Sequence, residues 1–366
     1  MRVLFCGGGT AGHVMPALAI SKILKDKFRN VESAFVGRVG GSENRSIIKE
    51  GEKLYTVDVQ GFRHSLSPKN ASSILKLIKS FGKARKIIRD FKPDIIIGTG
   101  GYVCYPIIKV GQKMGIKTVI HESNVYPGLV TRLLAAKCDS VLMGSEETRR
   151  YLKPETNAEW VGNPVRQSFK ATSREEARSK LGIGKNEFFI VSFGGSLGAQ
   201  IINEAVGELM RSYSMHTLNV SHLHSVGTAN YDEVKKRFPK LCSGKGKCKI
   251  VPYIDDMPTV LKAADLAITR SGAMTVSELG ASEIASILIP SPNVTANHQY
   301  LNAKHLCDIG AAIMIEEKNL SADRLLEAVK KIRCDRRLRD AMRQKIAAFS
   351  PNNVDTKISE AIEKLL

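Results

Sequence analysis

The chain twice shows a short apolar run followed at once by a glycine-rich turn and an apolar-periodic stretch. The first turn is Gly7–His13, after the run Val3–Cys6, and the second is Gly194–Ala199, after Phe188–Phe193. The turns begin 187 positions apart (194 minus 7), a period too long for a solenoid. A glycine-rich turn at the start of a helix offers backbone N–H groups and the positive end of the helix dipole to an anion. The repetition therefore predicts two domains, each opening with a turn suited to phosphate, and a ligand cleft between them.

The rest of the sequence alternates short apolar runs with helical periodicity. The candidate strands are Ala34–Val36, Ile95–Ile97, Thr118–His121, Ser140–Met143, Glu159–Val161, Val220–His224, Lys249–Pro252, Leu266–Thr269 and Ser286–Ile289. Strands that alternate with helices form βαβ units and parallel sheets. We therefore expect an α/β fold of two Rossmann-like domains whose parallel sheets face each other across the cleft. The boundaries we predict are 1–162 and 163–350, with a C-terminal helix over 351–366 that packs back on the first domain.

Charge narrows the class of partner. Lys and Arg number 55 against 36 Asp and Glu, so the formal net charge is +19. Such a surplus implies an anionic partner such as nucleic acid, an acidic membrane or a phosphorylated ligand. From Arg63 to Lys92 nine basic residues accompany one acidic residue, with apolar residues at helical spacing, among them Ile74, Leu77, Ile78, Phe81, Ala84, Ile88 and Phe91.

This basic stretch has two interpretations. A core-packed helix with a solvated basic face is one of them. The other is contact with an anionic membrane surface, because Leu75 falls off the apolar stripe, close to Lys76, Lys79 and Lys83. The aromatic interleaving that stacks bases is missing, so nucleic acid is not expected as a partner.

Several classes of protein are excluded or disfavoured. No stretch free of charged residues is a continuous apolar run of the ~20 residues that a membrane-spanning helix needs. The seven cysteines include no Cys-x-x-Cys pair, which is typical of reduced thiols in a cytosolic protein. We expect no metal site and no cofactor. The location we expect is the cytoplasmic face of the cell membrane, peripherally attached.

Polar residues that follow predicted strands are candidates for chemistry. Glu278 lies in the early turns of the helix after Leu266–Thr269, where a carboxylate suits ribose hydroxyls, although the helix dipole alone would also favour it. Asn297–Asn302 suits sugar hydroxyls or simply caps a helix. Gly98–Tyr102 and His121–Asn124 end two further strands. His13, after the first turn, could accept a proton at neutral pH or merely bind backbone.

In these residues the sequence resembles the MurG family, the peptidoglycan N-acetylglucosaminyltransferases of the GT-B fold. The motifs that carry the resemblance run in order through most of the chain: Gly7–His13, Gly98–Tyr102, His121–Asn124 with Pro127–Leu129, Gly162–Arg166, Gly194–Ala199, Tyr253–Met257, Arg270–Glu278, His298-Gln299 and Asn302-Ala303. The resemblance implies transfer of N-acetylglucosamine, with inversion, from UDP-N-acetylglucosamine to the 4-hydroxyl of muramyl-pentapeptide pyrophosphoryl-undecaprenol. Three positions depart from the family pattern, namely Ala11, Ser123 and Leu197.

The resemblance also implies roles for individual residues. The donor would be held by Thr10, Gly12, Asn124, Arg166, Ser196, Ile254, Glu278, His298 and Gln299. Among these, Glu278 would bind the ribose, Arg166 and Ser196 the diphosphate, and Asn124, His298 and Gln299 the sugar. The acceptor would meet Gly8, Gly9, Gly100, Gly101 and Tyr102. His13 is the candidate general base, and the adjacent pair Asp255-Asp256 is interpreted as structural.

Three other functions remain open at this point. One is a GT-B enzyme that glycosylates a diacylglycerol-type lipid, although the acceptor-side glycine turns favour an acceptor with a pyrophosphate. Another is a UDP-sugar epimerase of the same fold. The last is a basic binding module without chemistry, which would leave Arg270–Glu278 and the paired glycine turns unexplained.

Overall fold

The computed structural model describes residues 1–41, 44–59, 69–169, 172–195, 197–213 and 220–366, without the side chains of 11, 69–74 and 167. The chain divides into two compact units. Unit 1 is Met1–Pro164 together with Pro351–Leu366, and unit 2 is Val165–Ser350. The division after Pro164 lies two residues beyond the predicted boundary.

Unit 1 is built on a parallel sheet. Within the described residues its strands are β1 Arg2–Gly7, β2 Glu32–Arg38, β3 Lys53–Val57, β4 Ile95–Gly100, β5 Lys117–Glu122, β6 Ser140–Met143 and β7 Ala158–Trp160. They lie in the order β3-β2-β1-β4-β5-β6-β7. The helices are α1 Ala11–Lys27, α2 Asn44–Lys49, α3 Lys69–Phe91, α4 Cys104–Lys113, α5 Leu129–Leu134 and α14 Val354–Glu363.

The central strands of unit 1 are apolar because both faces of the sheet are covered. α3, α4 and α5 pack on one face, in a core that includes Leu4, Ile96 and Ile120. α1 and α14 pack on the other face, where Phe5 stacks on Phe35 with ring centroids 4.9 Å apart. The C-terminal helix α14 thus belongs to the core of the first unit.

Unit 2 repeats this plan. Its strands in the described part of the chain are β8 Phe188–Phe193, β9 Val220–Ser225, β10 Cys248–Val251, β11 Leu266–Thr269, β12 Ala285–Leu288 and β13 Ala312–Met314. All neighbours are parallel, in the order β10-β9-β8-β11-β12-β13. The helices are α6 Arg174–Lys180, α7 Gln200–Ser212, α8 Tyr231–Arg237, α9 Met257–Ala263, α10 Ala273–Ser282, α11 His298–Asp308, α12 Ala322–Cys334 and α13 Arg336–Ala347.

Two strands that the sequence analysis did not predict complete the sheets. β3 is an edge strand whose residues are mostly half-buried, and Lys53 and Thr56 interrupt its apolar run. β13 was overlooked although it lies within the apolar run Ala311–Ile315. Ile78, which helical spacing places on the apolar stripe of α3, is 61% exposed, so the core-packed interpretation does not hold at this residue. Leu75, predicted to lie off the apolar stripe, is 60% exposed.

Among the described residues, no helix is both long enough and apolar enough to cross a membrane. All seven cysteines are free thiols.

Candidate functional site

The two glycine-rich turns occupy equivalent places in the two sheets. In unit 1, β1 lies beside β4, and in unit 2, β8 lies beside β11. At each of these pairs the strand order reverses, since the chain runs outward to one edge and then to the other. Loops at the carboxyl ends of such central strands diverge and leave a crevice in which ligands of α/β proteins bind. Each turn therefore lies at the ligand-binding position of its own unit.

His13 lies in the first turn of α1, above the carboxyl ends of β1 and β4. Its Nδ1 is 2.9 Å from the carbonyl oxygen of Gly8 and 3.3 Å from Thr10 Oγ1. A carbonyl oxygen can only accept a hydrogen bond, so Nδ1 carries the proton and Nε2 of the neutral ring is an acceptor. The Thr99 hydroxyl donates to the backbone carbonyl of His13 over 2.6 Å and fixes this end of the helix.

The two turns of unit 1 need glycine because they touch each other. Gly100 has a φ of +118°, and a Cβ there would lie 2.5 Å from the His13 ring. Gly101 has a φ of +83°, and a Cβ there would collide with the carbonyl oxygen of Gly8. The predicted acceptor glycines and His13 are thus brought together, and Gly100 gives the imidazole its place. Tyr102, also predicted, is partly buried against the core of unit 1.

The motif His121–Asn124 divides into structural residues and one half-buried residue. His121 is fully buried, its Nε2 lies 3.1 Å from the carbonyl oxygen of Gly162, and burial lowers its pKa. Glu122 is 5% exposed and accepts hydrogen bonds from the loop that follows. The backbone carbonyl of Ser123 accepts from Asn163 Nδ2 over 3.0 Å. Of the four residues, only Asn124 reaches partial exposure.

In unit 2 the turn after β8 packs closely at Gly198. Gly198 has a φ of +74°, and a Cβ there would collide with the carbonyl oxygen of Val226. Leu197, which departs from the family pattern, is 83% exposed, and its carbonyl oxygen accepts from Asn230 Nδ2 over 2.9 Å. Ser196, predicted to hold the diphosphate, lies outside the described residues.

Glu278 on α10 of unit 2 is a largely buried carboxylate. Its side chain is 22% exposed, and Oε1 lies 3.9 Å from Arg166 Nη2. Burial raises the pKa of Glu278 to about 7, although the nearby Arg166 cation acts in the opposite direction. Arg166 itself is half exposed and lies over the Phe169 ring at 5.3 Å. Two residues predicted to bind UDP are thus neighbours, although 112 positions separate them (278 minus 166).

The predicted sugar-binding pair begins α11, beside the end of β12. Gln299 Oε1 accepts from the backbone N–H of Ser291 over 2.9 Å. The backbone carbonyl oxygen of Gln299 accepts from the Ser271 hydroxyl. The Gln299 side chain is thereby oriented with Nε2 as its remaining donor. His298 Nδ1 lies 2.8 Å from the carbonyl oxygen of Thr295, so Nδ1 carries the proton and Nε2 is an acceptor.

Other polar residues of the unit 2 motifs stabilise the fold. Arg270 is 13% exposed and forms an ion pair with Glu317 at 2.6 Å. Asp256 caps α9, with its carboxylate accepting from the backbone N–H of Thr259, as its structural interpretation predicted. The side chain of Ile254 is buried in the apolar core, so any contact that it makes with a ligand involves its backbone.

Sequence reasoning gave no role to a buried polar cluster between β8 and β9. Ser192 Oγ lies 2.7 Å from His222 Nε2 and 2.8 Å from His224 Nδ1, and the Tyr213 hydroxyl lies 2.8 Å from His222 Nδ1. Burial lowers the pKa of His224 to about 4 and holds that of His222 well below its usual range. The alternation of His222 and His224 along one strand was the signal that both face the same side.

The exposed face of α3 combines apolar and basic residues. Leu75 and Ile78 lie on it together with Lys79 and Lys83. Lys76 is turned towards Asp58, with its Nζ 3.2 Å from Oδ2. Of the four predicted membrane residues, Leu75, Lys79 and Lys83 are thus exposed, and Lys76 is in an ion pair.

Both halves of the chain match models of one enzyme family. Residues 3–143 match the glycosyltransferase family 28 N-terminal domain, and residues 189–357 match its C-terminal domain. Two curated relatives are UDP-N-acetylglucosamine--N-acetylmuramyl-(pentapeptide) pyrophosphoryl-undecaprenol N-acetylglucosamine transferases. The protein of Acetivibrio thermocellus is 40% identical over 100% of this chain and 98% of its own length, and that of Caldanaerobacter subterraneus is 38% identical over 100% of both.

Solved structures give the same result for the fold. The crystal structure of Acinetobacter baumannii MurG matches with a TM-score of 0.77 and 25% identity over 99% of both chains. A UDP-GlcNAc 2-epimerase from Neisseria meningitidis matches with a TM-score of 0.68 at 14% identity over 100% of both chains, which shows a shared fold alone. The predicted class of two Rossmann-like domains is confirmed. From the two domain matches and the full-length relatives, the chain belongs to glycosyltransferase family 28, within the MurG family that its motifs resemble.

Proposed function

We propose that this chain transfers N-acetylglucosamine from UDP-N-acetylglucosamine to the 4-hydroxyl of the muramyl-pentapeptide pyrophosphoryl-undecaprenol lipid. The reaction inverts the anomeric centre and converts lipid I to lipid II in peptidoglycan synthesis. Membership of the family supports the reaction, because the full-length relatives carry this activity in their names. The structural observation that supports it best is Glu278, a largely buried carboxylate beside Arg166 at the ligand-binding position of unit 2.

The donor set that we propose lies mainly in unit 2. The Glu278 carboxylate accepts hydrogen bonds from the ribose hydroxyls, and the half-exposed Arg166 guanidinium meets the diphosphate. Gln299 Nε2 and His298 Nε2 offer a donor and an acceptor to the sugar. Ser196, Ile254, Thr10, Gly12 and Asn124 complete the proposed set. Arg166 matters most as the bond between the anomeric carbon and the diphosphate breaks, because negative charge then develops on the departing UDP and a guanidinium stabilises it in the transition state.

The acceptor set that we propose lies in unit 1. The acceptor pyrophosphate lies against the turns of Gly8, Gly9, Gly100 and Gly101 at the N-terminus of α1, where the helix dipole favours an anion, with Tyr102 beside them. His13 is the general base. Its Nδ1–H is engaged by the Gly8 carbonyl, so Nε2 is the atom that accepts the proton of the sugar 4-hydroxyl as this oxygen attacks the anomeric carbon.

Attachment to an anionic membrane from the cytoplasmic side is a further part of the proposal. An acceptor with an undecaprenyl chain resides in a bilayer, so the enzyme must meet it at the surface. The exposed face of α3 combines Leu75 and Ile78 with Lys79 and Lys83, which suits a layer of anionic headgroups. The other interpretation, a solvated basic face, does not explain why the apolar side chains of Leu75 and Ile78 are exposed.

The deciding experiment follows radiolabel from UDP-N-acetylglucosamine into the lipid fraction with the undecaprenyl-linked acceptor. The wild type is expected to label the lipid, whereas Glu278→Ala loses donor use and retains its fold. Glu327→Ala is the matched control, because Glu327 is an exposed glutamate on α12 of the same unit. Absence of lipid labelling by the wild type would refute the proposed function. Normal labelling by Glu278→Ala would refute only the assignment of the donor site.

A further inference from the structure

The Glu122 side chain is a buried carboxylate that serves one loop. It ends β5 and is 5% exposed. Its Oε1 accepts from the backbone N–H of Asn124 over 3.1 Å and from Asn124 Nδ2 over 3.2 Å. Its Oε2 accepts from the N–H of Gly128 over 2.9 Å and from the Thr131 hydroxyl over 2.7 Å. Four donors thus converge on one carboxylate, and the chain from 123 to 131 wraps around it.

We propose that Glu122 is a positioning residue for sugar transfer, acting through Asn124. The inference rests on the proposed function, in which Asn124 contacts the sugar of UDP-N-acetylglucosamine. Glu122 Oε1 holds both the backbone and the side-chain amide of Asn124. The Asn124 carbonyl oxygen also accepts from Thr148 Oγ1 over 3.0 Å, so the residue is held at three atoms.

This arrangement fixes the direction of the Asn124 amide. With Nδ2 turned towards Glu122, Oδ1 points to the opposite side of the amide plane. An asparagine in water would sample both orientations and pay rotamer entropy on binding, whereas this one is already ordered. Preordered hydrogen-bonding groups support transfer because little reorganisation is needed when the sugar moves.

A carboxylate suits this place better than an amide does. All four partners of Glu122 are donors, and an ionised carboxylate only accepts. A glutamine of the same shape would turn an NH₂ group towards two of these donors. If that NH₂ faced Asn124, the amide of Asn124 would be released, while the loop would keep its length and its anchor to α5.

The two oxygens of Glu122 allow the positioning role to be separated from loop stability. Oε1 serves Asn124, and Oε2 serves Gly128 and Thr131 at the start of α5. Thr131→Val removes a bond to Oε2 from a buried hydroxyl and leaves Oε1 and Asn124 in contact. It is therefore the matched control for damage to the loop that does not involve Asn124.

The test measures KM and kcat for UDP-N-acetylglucosamine in folded variants, with thermal melting as the check on folding. We expect Glu122→Gln to raise KM roughly tenfold or more, and Asn124→Ala to do the same, because each change removes the charge-assisted hydrogen bond between Asn124 and Glu122. The double variant should lose no more than about a further twofold, since both changes remove one function. Thr131→Val should lower the melting temperature and keep KM within about twofold of the wild type.

A second variant keeps the inference testable if Glu122→Gln does not fold. Asn124→Asp is isosteric at a half-buried position, removes the donor to Glu122 and places two carboxylates side by side. It should raise KM as much as Asn124→Ala does. UDP affinity, measured by calorimetry, should stay unchanged in all these variants, because they leave the Glu278 carboxylate in place.

Several results would overturn the positioning role. A wild-type KM in folded Asn124→Asp or Glu122→Gln would overturn it. So would a double variant in which KM rises by the product of the two single effects. An equal rise of KM in Thr131→Val would show that Glu122 acts through loop stability alone. These failures differ from failure of the proposed function, in which the wild type itself transfers no labelled sugar to lipid.

Discussion

Replacement of Glu278 by Gln should stabilise unit 2 and weaken UDP binding at the same time. The carboxylate is 22% exposed, and its nearest described cation, Arg166, lies 3.9 Å away and is itself half exposed. Burial therefore outweighs the attraction and raises the pKa of Glu278 to about 7 from the ordinary 4.5. The folded protein holds this proton more tightly than the unfolded chain does.

The sign of the effect on stability follows from this proton uptake. Below pH 4.5 the group is protonated in both states and contributes nothing. As pH rises from 4.5 to about 7, the unfolded chain loses the proton first, so the free energy of unfolding falls. A shift of this size lowers the free energy of unfolding by about 2.5 kcal/mol between pH 5 and pH 8. Glu278→Gln cannot ionise, so its stability should escape this loss.

The assay is urea unfolding of the wild type and of Glu278→Gln at pH 5 and pH 8. Other groups that titrate in this range contribute equally to both proteins, so the difference between the two isolates Glu278. We expect Glu278→Gln to gain about 2.5 kcal/mol relative to the wild type between the two pH values. A difference that does not change with pH would refute the reasoning from burial.

UDP binding should favour the ionised form of Glu278, whereas folding favours its protonated form. If the ionised carboxylate accepts the ribose hydroxyls, UDP affinity depends on the ionised fraction, which is roughly tenfold smaller at pH 6 than at pH 8 for a pKa near 7. Between pH 6 and pH 8 the UDP affinity of the wild type, measured by calorimetry, should therefore rise about tenfold more than that of Glu278→Gln. Parallel pH profiles would remove Glu278 from the ribose. A group that destabilises its unit and strengthens ligand binding is typical of a functional residue.

Three further predictions concern other parts of the chain. Burial lowers the pKa of His224 to about 4 from the unfolded value of 6.5. The free energy of unfolding should therefore fall by about 3 kcal/mol as pH falls from 6.5 to 4, because the unfolded chain takes up the proton first. Urea unfolding of His224→Leu should show a smaller loss of stability in acid. Gly101→Ala should abolish transfer without changing UDP affinity, whereas Gly115→Ala, with a φ of +72° and open space around it, should cost only about 1 kcal/mol of stability in urea unfolding and keep activity. Changing Lys79 and Lys83 to Glu should reduce co-sedimentation with anionic vesicles, and unchanged partition relative to an equal charge reversal on α1 would favour the solvated-face interpretation.

The sequence predicted the central part of each sheet because central parallel strands are buried on both faces. Ser140–Met143 and Leu266–Thr269 were predicted with the bounds that the structure has. The edge strand β3 was not predicted because it is half-buried and lacks a continuous apolar run, whereas β13 was missed although it lies within the apolar run Ala311–Ile315. The apolar spacing of α3 did not decide between core packing and membrane contact at Ile78, which the helix leaves exposed.

Motif reasoning gave candidate stretches but could not rank the residues within them. In His121–Asn124, three polar residues bind backbone or loop, and in Arg270–Glu278, Arg270 pairs with Glu317. Nothing in the sequence itself distinguishes these from Asn124, which is partly exposed, or from Glu278, whose carboxylate is 22% exposed. The distinction depends on where each side chain finds partners, and these partners lie as far as 47 positions away (317 minus 270).

The same comparison explains why positioning residues are hard to predict. His13, Asn124 and Glu278 belong to types with obvious chemistry, whereas Thr99 and Glu122 act through backbone atoms and amides that any residue could supply. Both are buried at the carboxyl end of a strand that carries a glycine turn or leads into a loop. A buried polar residue at such a place must satisfy its hydrogen bonds locally, so it orders the loop that presents the reactive group. Strand-end polar residues are therefore candidates for two roles, and burial decides which role each one takes.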